Sequence, residues 1–109
     1  MRLPKKTQQE IIRLFSNYFP TGKLYLFGSR VDPNAKGGDI DLLCEIEGDA
    51  SILLEKRSAF LIALQKKIGE QKIDFVLYRP SEQPDLPIAK IAKSTGVRID
   101  MNDNLESRI

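Results

Sequence analysis

Apolar positions along the chain fall into two spacings, and the switches between them predict the order of elements. Ile11, Ile12, Leu14, Phe15, Tyr18 and Phe19 recur at three- and four-residue steps, the period of a helix with one broad apolar face. Thr7-Gln8-Gln9-Glu10 ahead of them fits a capping box, in which hydroxyl and carboxylate satisfy each other's end amides, so the helix is expected to begin there. Pro20 with Gly22 ends it. Leu24-Tyr25-Leu26-Phe27 is short, apolar and bounded by glycine on both sides, which predicts a buried strand. Ile40 to Ile46 predicts the next. The intervening Asp32-Pro33-Asn34-Ala35-Lys36-Gly37-Gly38 is dense in turn formers and is expected to be a surface loop, entered by a short turn of helix at Ser29 to Val31.

From Ser51 to Ile68 the pattern returns to helical spacing through Leu53, Leu54, Phe60, Leu61, Leu64 and Ile68, and Gly69 closes the segment. Ile73-Asp74-Phe75-Val76-Leu77-Tyr78 predicts a third strand, stopped by Pro80. Ile88 to Thr95 predicts a two-turn helix with Ile88, Ile91 and Ala92 inward, ended by Gly96, and Val97-Arg98-Ile99 a short edge strand. The polar tail 101–109 is expected to fray. The resulting order of helix, strand, turn, strand, helix, strand, helix reads as an α+β (mixed α/β) fold, a small mixed β-sheet flanked by helices.

Composition narrows this picture. At 109 residues and 41% hydrophobic content, residues 1–109 are expected to form a single domain around one modest core. Seventeen Lys and Arg against fifteen Asp and Glu leave a net charge of +2, too little to argue for direct nucleic-acid binding. The chain has no histidine, which removes imidazole metal ligands and every Ser-His-Asp or Cys-His nucleophile. Catalysis would have to run on carboxylates and metal. The one cysteine, Cys44, cannot form an internal disulfide and is expected in the core. No apolar run reaches the length of a membrane span, and Met1-Arg2-Leu3-Pro4-Lys5-Lys6 is not followed by an apolar leader segment. A cytoplasmic protein is expected.

The candidate chemistry sits around the second strand. Strand side chains alternate, so Asp39 and Asp41 are expected on one face, roughly 6.5 Å apart, with Ile40, Leu42 and Cys44 on the other. Two neighbouring carboxylates repel, and a divalent cation removes the conflict. Hard oxygen donors favour magnesium or manganese over zinc. Asp74 is the only charged residue of the third strand and the candidate third carboxylate. Gly28-Ser29 follows a strand directly, where a turn can aim backbone amides at a phosphate. The Ser29 hydroxyl adds a donor and Arg30 a positive charge. Neither G-x-x-x-x-G-K nor G-x-G-x-x-G is present.

Leu26-Phe27-Gly28-Ser29-Arg30, Gly38-Asp39-Ile40-Asp41-Leu42 and Ile73-Asp74-Phe75-Val76 together make the chain resemble the minimal nucleotidyltransferases of the DNA polymerase β superfamily, the MNT domains often paired with a HEPN-domain ribonuclease toxin. Gly38 stands where that pattern commonly has serine, and Val31-Asp32-Pro33 replaces its small residues after G-S-R. The resemblance implies a nucleotidyltransferase-like fold with Gly28, Ser29 and Arg30 on the phosphates of a nucleotide triphosphate. It implies two magnesium ions held by Asp39, Asp41 and Asp74, with Asp74 beside the attacking hydroxyl. It further implies ATP as substrate and the toxin as acceptor, modified with AMP on a tyrosine hydroxyl, which would make the chain an antitoxin. A chain this short leaves no room for an acceptor-holding domain, so the acceptor is expected on another molecule. Alternatives are a non-catalytic toxin-binding module and a transferase acting on RNA ends or a small molecule.

Overall fold

A computed structural model describes residues 3–31 and 38–100, with Ser29 and Arg30 described by their backbone alone. Most of the expected loop and the tail 101–109 therefore lie outside the described residues. The elements are α1 (Lys5–Tyr18), β1 (Lys23–Phe27), a 3₁₀ turn (Gly28–Val31), β2 (Ile40–Glu45), α2 (Ala50–Ile68), β3 (Ile73–Tyr78), α3 (Pro87–Thr95) and β4 (Val97–Arg98). Three helices and a four-stranded mixed sheet make this an α+β fold, as the sequence predicts.

The sheet runs β3-β2-β1-β4. β1 pairs antiparallel with β2 and with β4, whereas β2 and β3 are parallel. The reason lies in the connections. The antiparallel β1 and β2 need no crossover, while α2 supplies the one that the parallel β2 and β3 require. β3 is thus an outer strand with one free edge.

Strand alternation sorts the apolar side chains onto two faces. Leu24, Leu26, Ile40, Leu42, Cys44 and Phe75 pack with α1 and α2 in the larger core. Phe15, Phe19, Phe60 and Phe75 knit that core together, with ring centroids 5.2 to 6.2 Å apart, and each such ring is worth about 1.5–3 kcal/mol of burial. Burial pushes the Cys44 thiol up to about 12, with the charges of Asp100 and Glu45 adding to it, so this cysteine is an unreactive core residue. On the opposite face α3 covers Phe27, Leu43 and Tyr78 through Ala89 and Ala92. Lys93 closes that layer with its ammonium 3.0 Å from Glu45.

Two local expectations need correction. Helix α1 begins at Lys5, with Pro4 as its cap and no side-chain capping bond, so Thr7 lies inside the first turn. Leu3 is buried and its carbonyl accepts from Gln8 Nε2 at 3.0 Å, while Glu10 pairs with Arg13 at 2.7 Å instead of reaching back. The side-chain cap among the described helices is Asp49, which accepts from the amides of Ser51 and Ile52 at the start of α2. Ile91, expected inward, is 53% exposed, because α3 approaches the sheet on its alanines and leaves no depth for a larger side chain there.

Among the described glycines, the closest approach of other backbone is at Gly96. A Cβ there would meet the carbonyl oxygens of Ala92 and Leu26, the latter at 2.6 Å, and both are backbone atoms that cannot swing aside. Gly96→Ala is therefore expected to lower stability by about 1–3 kcal/mol, seen as a fall in the urea midpoint at unchanged slope. An unchanged midpoint contradicts the packing described here.

Candidate active site

The site grows out of the register between two parallel strands. Ile40 pairs with Ile73, Asp41 with Asp74 and Leu42 with Phe75, so the single acid of β3 lies directly beside the acid of β2. Both project from the α3 face, because their neighbours Leu42 and Phe75 point into the opposite core. Asp41 is half-buried and Asp74 exposed. The Asp41 carboxyl is held above the usual carboxylate range, first by burial, then by a hydrogen bond with Asp74 and the negative charges of Asp74 and Asp39. Two acids in this arrangement need a proton or a cation between them.

Gly28 forms the third side. It follows β1 with φ +78°, a left-handed conformation that glycine adopts without penalty. A Cβ at this position would collide with the Asp41 Oδ2, so the missing side chain is the space the Asp41 carboxylate occupies. The glycine of the G-S-R stretch and the second acid of D-x-D thus occupy one seat. Ser29 and Arg30 continue the 3₁₀ turn, and the expectations for their hydroxyl and guanidinium concern side chains outside the description.

Asp39 is not part of the pair. It lies one residue before β2, opposite Lys72 in the extended register, and its carboxylate is 3.6 Å from the Lys72 ammonium. Among the described residues no three metal-type side chains gather around one point. The donor chemistry still fits a divalent cation. Asp41 and Asp74 offer adjoining hard oxygens under like-charge stress, and an exposed Lys–Asp pair such as Lys72–Asp39 costs little to break.

An open cleft of about 380 Å³ lies over the pair, lined by Phe27, Asp41, Arg57, Asp74, Phe75, Val76 and Ile88. Its volume is at the lower end for a small-molecule site. Arg57 reaches it from α2 and donates from Nε to the carbonyl of Phe75 at 2.9 Å. Sequence reasoning missed this residue, although it left a signal. Leu53, Arg57, Phe60 and Leu64 follow one another at helical steps, and all but Arg57 are buried apolar residues. A charge within an apolar stripe is unusual enough to demand a partner. A larger opening of about 480 Å³ at Gln65, Glu70, Gln71 and Lys72 is lined by neither Asp41 nor Asp74.

A glycine turn and paired strand carboxylates beneath an open cleft define a domain suited to phosphate-ester chemistry. Residues 8–99 match the family described as nucleotidyltransferase domain, and the chain belongs to that family. It is a transferase domain of the nucleotidyl-transferring class. No curated protein matches the chain at a significant level. No helix among the described residues is long and apolar enough to cross a membrane.

Two consequences can be measured. In metal-free protein the raised Asp41 value means that the folded state holds this proton more tightly than the unfolded chain. Stability from this group is therefore present at low pH and lost as pH climbs from the unfolded value of about 3.9 through the higher folded one. Asp41→Asn removes that loss, and its Tm is expected to exceed wild type by a few degrees at about pH 7.5, with the gap closing near about pH 4. Added magnesium should raise the wild-type Tm alone. An Asn variant less stable than wild type at neutral pH contradicts the electrostatic description. Gly28→Ala is expected to cut nucleotidyl transfer by about 100-fold and to shift the Asp41 and Asp74 resonances in NMR spectra, and unshifted resonances count against the shared seat.

Proposed function

We propose that the chain transfers AMP from MgATP to a tyrosine hydroxyl of a partner HEPN-domain ribonuclease toxin, neutralising it as an antitoxin. The observation carrying this reading is the seating of Asp41 against both Gly28 and Asp74, in a chain of the nucleotidyltransferase family. Asp41 and Asp74, with Asp39 turned inward from Lys72, are the residues that would hold two magnesium ions. Bound magnesium supplies neutralisation of the triphosphate and of the charge on the departing pyrophosphate.

The chain's own groups do the positioning. Gly28 lets backbone approach the β- and γ-phosphates, and Ser29 and Arg30 add a hydroxyl donor and a positive charge. Asp74, on the strand farther from Gly28, takes the proton of the acceptor hydroxyl as its oxygen attacks the α-phosphorus. A phosphorus–oxygen bond to tyrosine forms, the bond to the α,β-bridging oxygen breaks, and pyrophosphate leaves with the electron pair. The apolar wall of Phe27, Val76 and Ile88 supports an aromatic side chain as acceptor, since it is the surface a tyrosine ring would pack on.

Incubation with α-labelled ATP, magnesium and a HEPN-domain toxin as the proposed partner is expected to label the toxin. Asp41→Asn should reduce labelling by at least about 100-fold, and phenylalanine at the modified tyrosine should abolish it. Neutralisation of the toxin with no label on protein, equally by wild type and Asp41→Asn, overturns the catalytic reading in favour of occlusion. Label on RNA or on a small molecule moves the acceptor there.

A further inference from the structure

We propose that Arg57 forms an anion subsite on the acceptor side of the cleft, and that it selects an acidic peptide segment around the acceptor hydroxyl. This rests on the nucleotidyl-transfer reading above. Arg57 stands in the stripe by which α2 packs on the sheet, between Leu53 and Phe60, a position where an apolar side chain would bury more surface. Its Nε–H bond to the Phe75 carbonyl, 2.9 Å long, uses the free edge of the outer strand β3 and fixes the plane of the guanidinium. That bond consumes one of five donors. Among the described residues the ion pairs engage other cations. The terminal nitrogens are therefore fixed at the cleft with no carboxylate of the described residues in an ion pair with them.

Position decides what they bind. Gly28 follows β1, and strand order places β2 between β1 and β3, so the phosphate turn and Arg57 lie at least two strand spacings apart, about 10 Å. Asp74 stands between them. With the triphosphate at Gly28, the group entering beside Asp74 from the β3 edge is the acceptor, and Arg57 meets its flank. A planar fork favours a carboxylate or phosphate. Along a nucleic-acid strand, successive phosphates would call for several cations. Among the described residues Arg57 is the sole basic residue lining the cleft, where the rest of the wall is the Asp41–Asp74 pair and the apolar Phe27, Phe75, Val76 and Ile88, and Lys72 and Lys90 face Asp39 and Asp85. One arginine beside an apolar wall matches a tyrosine with an acidic neighbour.

The test uses three probes with α-labelled ATP and magnesium: a random glutamate–tyrosine copolymer, a lysine–tyrosine copolymer and an oligoribonucleotide with a free 3′-hydroxyl. Wild type is expected to label the glutamate–tyrosine copolymer about tenfold faster than the lysine–tyrosine one. Arg57→Ala should reduce that preference to less than about twofold through KM rather than kcat, and Arg57→Lys should retain part of it. Affinity for a non-hydrolysable ATP with manganese should change by less than about twofold in both variants. Thermal melts of both variants separate folding loss from acceptor loss. Preference unchanged in Arg57→Ala, no transfer to the glutamate–tyrosine copolymer, preferential labelling of the oligoribonucleotide, or a tenfold loss of nucleotide affinity each overturns the assignment. Absence of metal-dependent ATP binding by wild type instead overturns the nucleotidyl-transfer reading itself.

Discussion

The pairing of Asp41 with Asp74 is the constraint on which the rest of the site depends. Two carboxyl groups side by side are unfavourable unless something positive or a proton stands between them, and this fold forces the pair through the parallel register of β2 and β3. That register is in turn fixed by α2, whose Asp49 cap, Gly69 stop and buried Leu53, Phe60 and Leu64 set the length and seating of the crossover. A core interaction on one face of the sheet thus determines an electrostatic conflict on the other. Stability is given up at the point where a cation and a triphosphate would restore it, a distribution typical of functional sites.

The same economy governs Gly28. Its positive φ re-aims the chain after β1, and its missing Cβ leaves room for the Asp41 carboxylate. Strand β1, the 3₁₀ turn and β2 are therefore coupled through a steric contact and not only through ladder hydrogen bonds. α3 completes the arrangement from above. It lies close enough on Ala89 and Ala92 to place Ile88 in the cleft wall, while Gly96 lets the chain leave the helix against β1 without displacing it.

Much of this was legible from residue order. The strand boundaries follow from apolar runs ended by glycine and proline, and α2 from helical spacing between Asp49 and Gly69. What failed did so where tertiary context overrides a local pattern. The Thr7–Glu10 box is a sound local signal, but the buried Leu3 anchors the chain earlier and starts the helix at Lys5. Alternation puts Asp39 and Asp41 on one face, and what it could not show is the Lys72 partner of Asp39, a neighbour created only by pairing with β3. Adjacency of Asp41 and Asp74 could not be read, since no sequence period encodes the register of strands separated by a helix. Arg57 was visible as a charge in an apolar stripe, but its role depends on β3 having a free edge.

The central claim is that the Asp41–Asp74 pair beside Gly28 is a divalent-cation seat. Manganese titrated into isotopically labelled protein tests it most directly, because the ion broadens nearby amide resonances strongly. The account predicts that the amides of Gly28, Asp41 and Asp74 broaden first, that ATP strengthens the effect, and that Asp41→Asn abolishes it. Broadening that begins at another acidic surface, such as Glu10 or Glu70, or that is unchanged in the Asn variant, would contradict it.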